Sequence, residues 1–385
     1  MTRINLNEEL LEYLVIGGSF YGGGGGGSTT SGREMGRMAL RLGGPHLVEV
    51  GDLPDDALLL TVSAVGAPAG GGPHATPADY VKTVELFQRH TGKTVSGFIA
   101  NECGGLATVN GWVQSAATGL PVVDAPCNGR AHPTGAMGSM GLNRVEGYVS
   151  EQVAVGGSRA DGSYLEVFIR GSVESASGLV RKTAGQAGGL VAVARNPVTV
   201  SYARDHAAPG AIRRCLEIGR AIVEGRSRSA RDAVEGAALS AGGRVACAGK
   251  VVHAHIESAG GFDLGKVIVQ GSDALVELVF CNEYLTMESI GPANGDNPNG
   301  AANPKSGANR RLATFPDLIT TLDLSTGLPV TSAEIHAGQE VAVVVVPRGS
   351  LILGAGMRDK GLYADVDRVT GTDLARYVFS EEKVF

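Results

Sequence analysis

Between residues 93 and 133, two short apolar runs rich in β-branched residues flank a segment whose apolar positions, Leu106, Val109, Val113 and Ala117, recur at helical spacing. Runs of this length predict strands and the spacing between them predicts a helix, so the unit is β-α-β with parallel strands. The alternation extends towards the N-terminus. Asn7 predicts a helix cap, with Leu6 and Leu11 as a hydrophobic staple and Leu10, Leu14 and Val15 on one face. A second helix carries Met35, Met38, Ala39 and Leu42 on one face behind a capping pattern at Ser31 and Glu34. Residues 46–50 and 57–65 predict strands, the second nearly all apolar, as buried parallel strands are. Thr76, Pro77 and Asp79 then open a helix that runs to about His90.

Beyond residue 153 the pattern changes. Residues 164–170 predict a strand, residues 177–195 a helix, and residues 209–225 a helix that opens at Pro209 and closes at Gly225. The Arg- and Ser-rich stretch 225–236 predicts a linker. From there to about residue 350, strands follow one another at short spacing with glycine-containing turns, which predicts a compact β-barrel or sandwich. The chain therefore divides into an α/β domain over residues 1–239, a mostly parallel sheet with helices on both faces, and a mainly β domain over 240–385. In the second, strands occupy about 244–350 and the C-terminal tail is free to return to the first. Within it, residues 290–311 are almost wholly polar, the character of a lid over a cleft between the domains, a binding loop or a disordered segment.

Composition narrows the function. The 385 residues exceed one typical core, and 43% hydrophobic content is ample for two. The 58 glycines show no period of three and accompany 16 prolines, so they belong to tight turns rather than to a collagen-like or low-complexity chain. A formal charge of −6 with no basic run argues against nucleic-acid and acidic-membrane partners, and no apolar run reaches the roughly twenty residues of a membrane span. The five scattered cysteines predict no disulfide framework, and the first residues lack an apolar signal core. The expectation is a cytoplasmic homo-oligomer acting on a small-molecule substrate.

Ligands of a parallel sheet sit beyond the carboxyl ends of its strands. Asn101, Glu102 and Cys103 follow one strand, and Asp124, Cys127, Asn128, Arg130 and His132 follow the next, while His74 lies in the loop beyond residues 57–65. Cys127 and His132, with Cys103, Glu102 or His74, make a donor set of the kind catalytic zinc takes. Alternatively, Cys127 is a nucleophile whose thiolate His132 or Arg130 favours, or it is a packing cysteine. Asp124 and Glu102 are candidate acid–base groups, Arg130 a carboxylate clamp, and Asn101 and Asn128 substrate contacts. Six glycines at 22–27 precede a helix N-terminus, where Gly24 and Gly25 can offer N–H groups to a substrate anion. No lysine precedes Lys82 and the run follows a helix, so neither a Walker loop nor a Rossmann fingerprint fits and no nucleotide cofactor is expected. His253 and His255 share a strand face but have no third ligand at matching spacing.

The order GGSFYGGGGGG, LPVVDAPCNGRAHP, GGFDLGKVIVQG, CNEYL and FPDLITTLDLSTGLPVTSAEIHAGQEVAVV resembles the S-methyl thiohydantoin desulfurase-like, hydantoinase-related proteins over about residues 14–346. The resemblance implies an α/β N-terminal domain, a mostly β C-terminal domain, and hydrolysis at a hydantoin or thiohydantoin ring that releases sulfide or opens a cyclic amide. The chain departs from that pattern after Ala125, where no acid follows and Cys127 and His132 stand instead. The alternative is a protein that binds such a ligand without turnover.

Overall fold

The structure is a computed structural model that describes residues 3–66, 75–259, 262–272, 274–290 and 309–379. His74 and most of the polar stretch 290–311 lie outside the described residues. The first sheet contains β1 (Ile4–Asn5), β2 (His46–Val48), β3 (Leu58–Gly66), β4 (Gly97–Ala100), β5 (Val122–Val123), β6 (Ser150–Gly156), β7 (Leu165–Gly171) and β8 (Leu190–Thr199), in the order β1-β2-β5-β4-β3-β8-β6-β7. Its centre, β2-β5-β4-β3, is the expected parallel set, with antiparallel β1 on one edge and antiparallel β8, β6 and β7 on the other.

Local chemistry sets most helix ends of this domain. Asn7 Oδ1 accepts from Leu10 N at 2.9 Å to start α1 (Glu8–Gly22). α2 (Thr29–Leu42) is capped by Ser28, whose Oγ accepts from Ser31 N at 3.1 Å, so the cap lies three residues before the expected Ser31. A capping box of Thr76 and Asp79 opens α3 (Pro77–Thr91), and α4 (Trp112–Thr118) lies between β4 and β5. α5 (Val173–Gln186), α6 (Val200–His206), α7 (Ala211–Arg226) and α8 (Ala230–Ala241) follow.

Two expectations change here. The predicted helix over 177–195 is cut into α5 and strand β8, because Gly188 and Gly189 take φ of 89° and 117° and turn the chain. A short apolar run buried on both faces does not distinguish the two states by period. The predicted linker over 225–236 is mostly α8, whose cap Ser229 accepts from Asp232 N at 3.0 Å.

The second sheet is antiparallel throughout: β9 (Arg244–Ala259), β10 (Phe262–Gly271), β11 (Leu275–Cys281), β12 (Glu283–Ile290), β13 (Arg310–Thr314), β14 (Leu318–Asp323), β15 (Pro329–Val330) and β16 (Glu340–Val346), ordered β13-β12-β11-β10-β9-β16-β14-β15. It curls, so that Tyr284 Oη on β12 lies 3.3 Å from Thr321 Oγ1 on β14. Val251, Val267, Leu278, Phe280 and Val343 fill the hollow. α9 (Lys360–Thr370) and α10 (Leu374–Phe379) return to the first domain, burying Leu362, Tyr363, Val366 and Leu374 in one core with Val48, Ile99 and Cys127.

α1 runs through the centre of the molecule. Leu14, Ile16 and Phe20 share a core with Ile212 and Ile218 of α7 and with Leu318, Leu322 and Val344 of the second sheet. α1 and α7 touch backbone to backbone, since a Cβ at Gly17 would sit 1.8 Å from Cys215 O and one at Gly219 1.8 Å from Tyr13 O. This fixes where α1 ends, which is where the site begins. Among the described residues no helix is long and apolar enough to cross a membrane.

Candidate active site

α1 stops at Gly23, and Gly23, Gly24, Gly26 and Gly27 have φ of 64°, 95°, 75° and 80°, a region that other residues rarely enter. The loop is held from both domains. Gly26 O accepts from Leu106 N and Ala107 N at 3.0 Å, Gly23 O from Tyr284 N at 2.8 Å, and Gly24 O from Ser332 N at 3.0 Å. The glycine run therefore joins the end of β4 to the second sheet.

Beside it opens a cleft of about 850 Å³, lined from the first domain by Gly24, Gly25, Asn101, Glu102, His132 and Arg195 and from the second by Asp263, Asn282, Glu283 and Ser332. A cleft of this size suits a small organic ligand.

The polar groups at its floor define one another. His132 Nδ1 lies 2.9 Å from the Thr134 carbonyl oxygen, which can only accept, so the proton resides on Nδ1 and Nε2 keeps its lone pair. Nε2 is 3.1 Å from Glu102 Oε2 and 3.4 Å from Asn101 Nδ2. Burial, reinforced by the charge of Arg195, holds the imidazole down to about 4, so it is neutral. Burial pushes Glu102 up to about 7, and in its protonated form its O–H donates to Nε2. The Asn101 amide is oriented on both sides: its Oδ1 accepts from an Arg195 Nη, and its Nδ2 donates to Glu102 Oε2 at 3.2 Å.

Glu283 faces this group from the second domain. Asn282, at φ 60°, turns β11 into β12, with Asp263 N donating to its Oδ1 at 2.9 Å. That turn places Glu283, 2% exposed, against the glycine loop with its Oε2 unpartnered among the described residues. Burial, then the charge of Glu102, pushes Glu283 well above the usual carboxylate range. Two carboxyl groups thus line the cleft, partly buried Glu102 from the first domain and buried Glu283 from the second, and the charge of Glu102 raises Glu283.

Of the described residues expected from the sequence, Asn101, Glu102, His132, Gly24 and Gly25 come together at the cleft, and Cys103, Asp124, Cys127, Asn128 and Arg130 do not line it. Cys127 packs in the core with Ile99 and Val123, its Sγ 3.2 Å from Thr61 Oγ1, and burial pushes its thiol up to about 11. Cys103 is fully buried, and a hydrogen bond with the Cys215 side chain, then burial, holds its thiol well above the ordinary value. Asp124 is a helix cap, accepting from Ile212 N at 2.8 Å and Arg213 N at 3.2 Å at the start of α7. Asn128 donates to Arg130 O at 2.8 Å and accepts from Gly354 N at 3.0 Å. Arg130 is a clamp between the domains, donating to Pro316 O at 3.2 Å and Asp317 O at 2.5 Å, its guanidinium 4.4 Å from the Phe315 ring centre.

Among the described residues no three His, Cys, Asp or Glu side chains are grouped to hold a metal. With Cys127 facing Thr61 and Cys103 facing Cys215, the zinc donor set expected from the sequence does not fit the residues described.

Glu283 and Arg195 were not legible as site residues. The available signal was weak: Arg195 interrupts the apolar run LVAVA, and Glu283 opens the strand EYLTMESI directly after Asn282.

The chain belongs to the S-Me-THD-like family: residues 9–157 match the family's N-terminal domain and residues 172–352 its C-terminal domain. The C-terminal match begins ahead of α5 and β8, so the segment it covers also supplies a strand of the first sheet. The fold is also that of a crystal structure of a protein from Chromobacterium violaceum, with a TM-score of 0.67 and 20% identity over 96% of this chain and 97% of that one. At that identity the likeness concerns fold alone. No curated protein matches the chain.

Proposed function

We propose that the protein is a hydrolase of a small cyclic amide or thioamide, a hydantoin- or thiohydantoin-like ring, and that Glu102 and Glu283 do the acid–base work in the interdomain cleft. The S-Me-THD-like family supports a thiohydantoin-related enzyme. The observation that carries the reading is the pair of carboxyl groups lining one cleft, Glu102 raised to about 7 and Glu283 raised well above the usual carboxylate range by burial and by the Glu102 charge. Such a pair supplies one base and one acid at the same pH.

With Glu102 ionised and Glu283 protonated, Glu102 takes a proton from water as its oxygen bonds to a ring carbon. The bond from that carbon to the ring nitrogen then breaks, and Glu283 gives its proton to the departing nitrogen. One water is consumed, and proton transfer from Glu102 to Glu283 resets the pair. Neutral His132 receives the Glu102 proton in a hydrogen bond during the cycle, and Asn101 keeps the carboxyl group in place.

The test is turnover of a panel of hydantoins, thiohydantoins and related cyclic amides. The wild-type protein converts at least one, and Glu102→Gln lowers kcat on the order of a hundredfold. Panel members that bind tightly and yield no product would replace the hydrolase with a binding protein.

A further inference from the structure

The carboxyl pair leaves one part of the cleft floor unused. Thr61 on β3 pairs with Arg195 on β8, and Ser63 is two residues along, so Thr61, Ser63 and Arg195 share one face of the sheet. Ser63 and Arg195 both line the cleft. They are 2% and 4% exposed, and among the described residues Ser63 Oγ and Arg195 Nε have no hydrogen-bond partner. The guanidinium does not swing freely, because an Nη donates to Asn101 Oδ1, the same amide that positions Glu102. A hydroxyl and a cationic N–H buried without partners are costly, and a ligand atom that accepts from both removes that cost.

We infer that Arg195, with Ser63 beside it, receives the exocyclic oxygen or sulfur of the substrate ring and stabilises the negative charge that builds there as the water oxygen bonds to the adjacent carbon. This rests on the proposed hydrolysis and adds its electrophilic side. As the new C–O bond forms, the C=O or C=S π electrons move onto the exocyclic atom, and they return to re-form the double bond when the ring C–N bond breaks and the nitrogen departs with the Glu283 proton. Arg195 and Ser63 donate hydrogen bonds throughout and lose no proton. Fixed donors in a water-poor site act most strongly on charge that develops in the transition state. The ligand class is therefore a planar ring with an exocyclic acceptor next to the scissile bond. An isosteric ring with CH₂ in place of that acceptor is refused.

The experiment compares wild type, Arg195→Lys, Ser63→Ala and Glu283→Gln, reading calorimetric binding of hydantoin and 2-thiohydantoin together with kcat on the best panel substrate. Arg195→Lys is expected to lower kcat roughly 100- to 1000-fold, the scale of a lost oxyanion donor, with a smaller change in KM. Ser63→Ala is expected to lower it about tenfold, as loss of a single neutral donor does. Glu283→Gln should keep ring binding while losing turnover. Wild-type kcat in a folded Arg195→Lys protein overturns the inference, and if that variant does not fold, wild-type kcat in Ser63→Ala overturns it. Ring binding that weakens in Arg195→Lys, without product in any variant, keeps the Arg195 contact and removes the hydrolytic reading. No ring binding by wild type removes both.

Discussion

A Cβ at Gly25 would lie 2.1 Å from Glu283 Oε1, so the glycine loop of the first domain is what leaves room for the carboxyl group of the second. The same loop is hydrogen-bonded on either side of that point, through Gly24 O to Ser332 N and Gly26 O to Leu106 N. It has little freedom to back away. The hexaglycine run is thus a seat for an acid.

Gly25→Ala is therefore expected to move Glu283 rather than unfold the protein, because the methyl meets the end of a side chain and not backbone. Turnover should fall on the order of a hundredfold, the cost of misplacing a catalytic group by about 1 Å. Kinetics on the best panel substrate, with melting temperature measured alongside, check it. Unchanged kcat would mean that the position of Glu283 is immaterial.

Cys127→Ser is expected to keep turnover and lose a modest amount of stability. The sulfur lies among Ile99, Val123 and Thr61, and its thiol is pushed up to about 11, so little thiolate exists near neutral pH. Asp124→Ala should cost about 2 kcal/mol by uncapping α7, again with near-normal turnover of the folded fraction. Denaturant titration and specific activity per folded molecule separate the two effects. Loss of turnover in stable Cys127→Ser would restore the thiol to the chemistry.

The pattern of apolar positions was enough for the parallel centre of the first sheet, for the caps at Asn7 and Thr76, and for the strands of the second sheet. It was not enough for β8, whose run of buried apolar residues fits a helix as well as a strand until Gly188 and Gly189 are seen to turn. In the site, Asn101, Glu102 and His132 were legible because they follow strand ends and stay at the cleft. Asp124, Cys127, Asn128 and Arg130 follow a strand end too, but that segment runs beneath the start of α7 and against Pro316 and Asp317, where polar groups serve as caps and clamps. Spacing along the chain does not reveal which polar residues tertiary packing will cover. Glu283 comes from a different domain, so no local pattern tied it to Glu102.

The ordinary pKa of Glu102 is near 4.5 and the fold raises it to about 7. Between those values the folded state binds more protons than the unfolded one, so the Glu102 contribution to stability declines as pH rises through that window. Glu102→Gln should accordingly melt higher than wild type at pH 8, with the difference closing towards pH 5. In the wild type, kcat/KM should rise with pH through a midpoint near 7 as Glu102 ionises, and fall at higher pH as Glu283 loses its proton. A melting difference that grows towards acid pH would reverse the sign and contradict a proton-holding Glu102.

The most direct measurement is product release from the panel by wild type, Glu283→Gln and the Glu102→Gln, Glu283→Gln double variant, all shown to be folded by their melting curves. The account predicts wild-type turnover of at least one hydantoin- or thiohydantoin-like ring, a loss on the order of a hundredfold or more in Glu283→Gln, and little further loss in the double variant, because the two carboxyl groups work as a unit. Wild-type turnover in folded Glu283→Gln would contradict it.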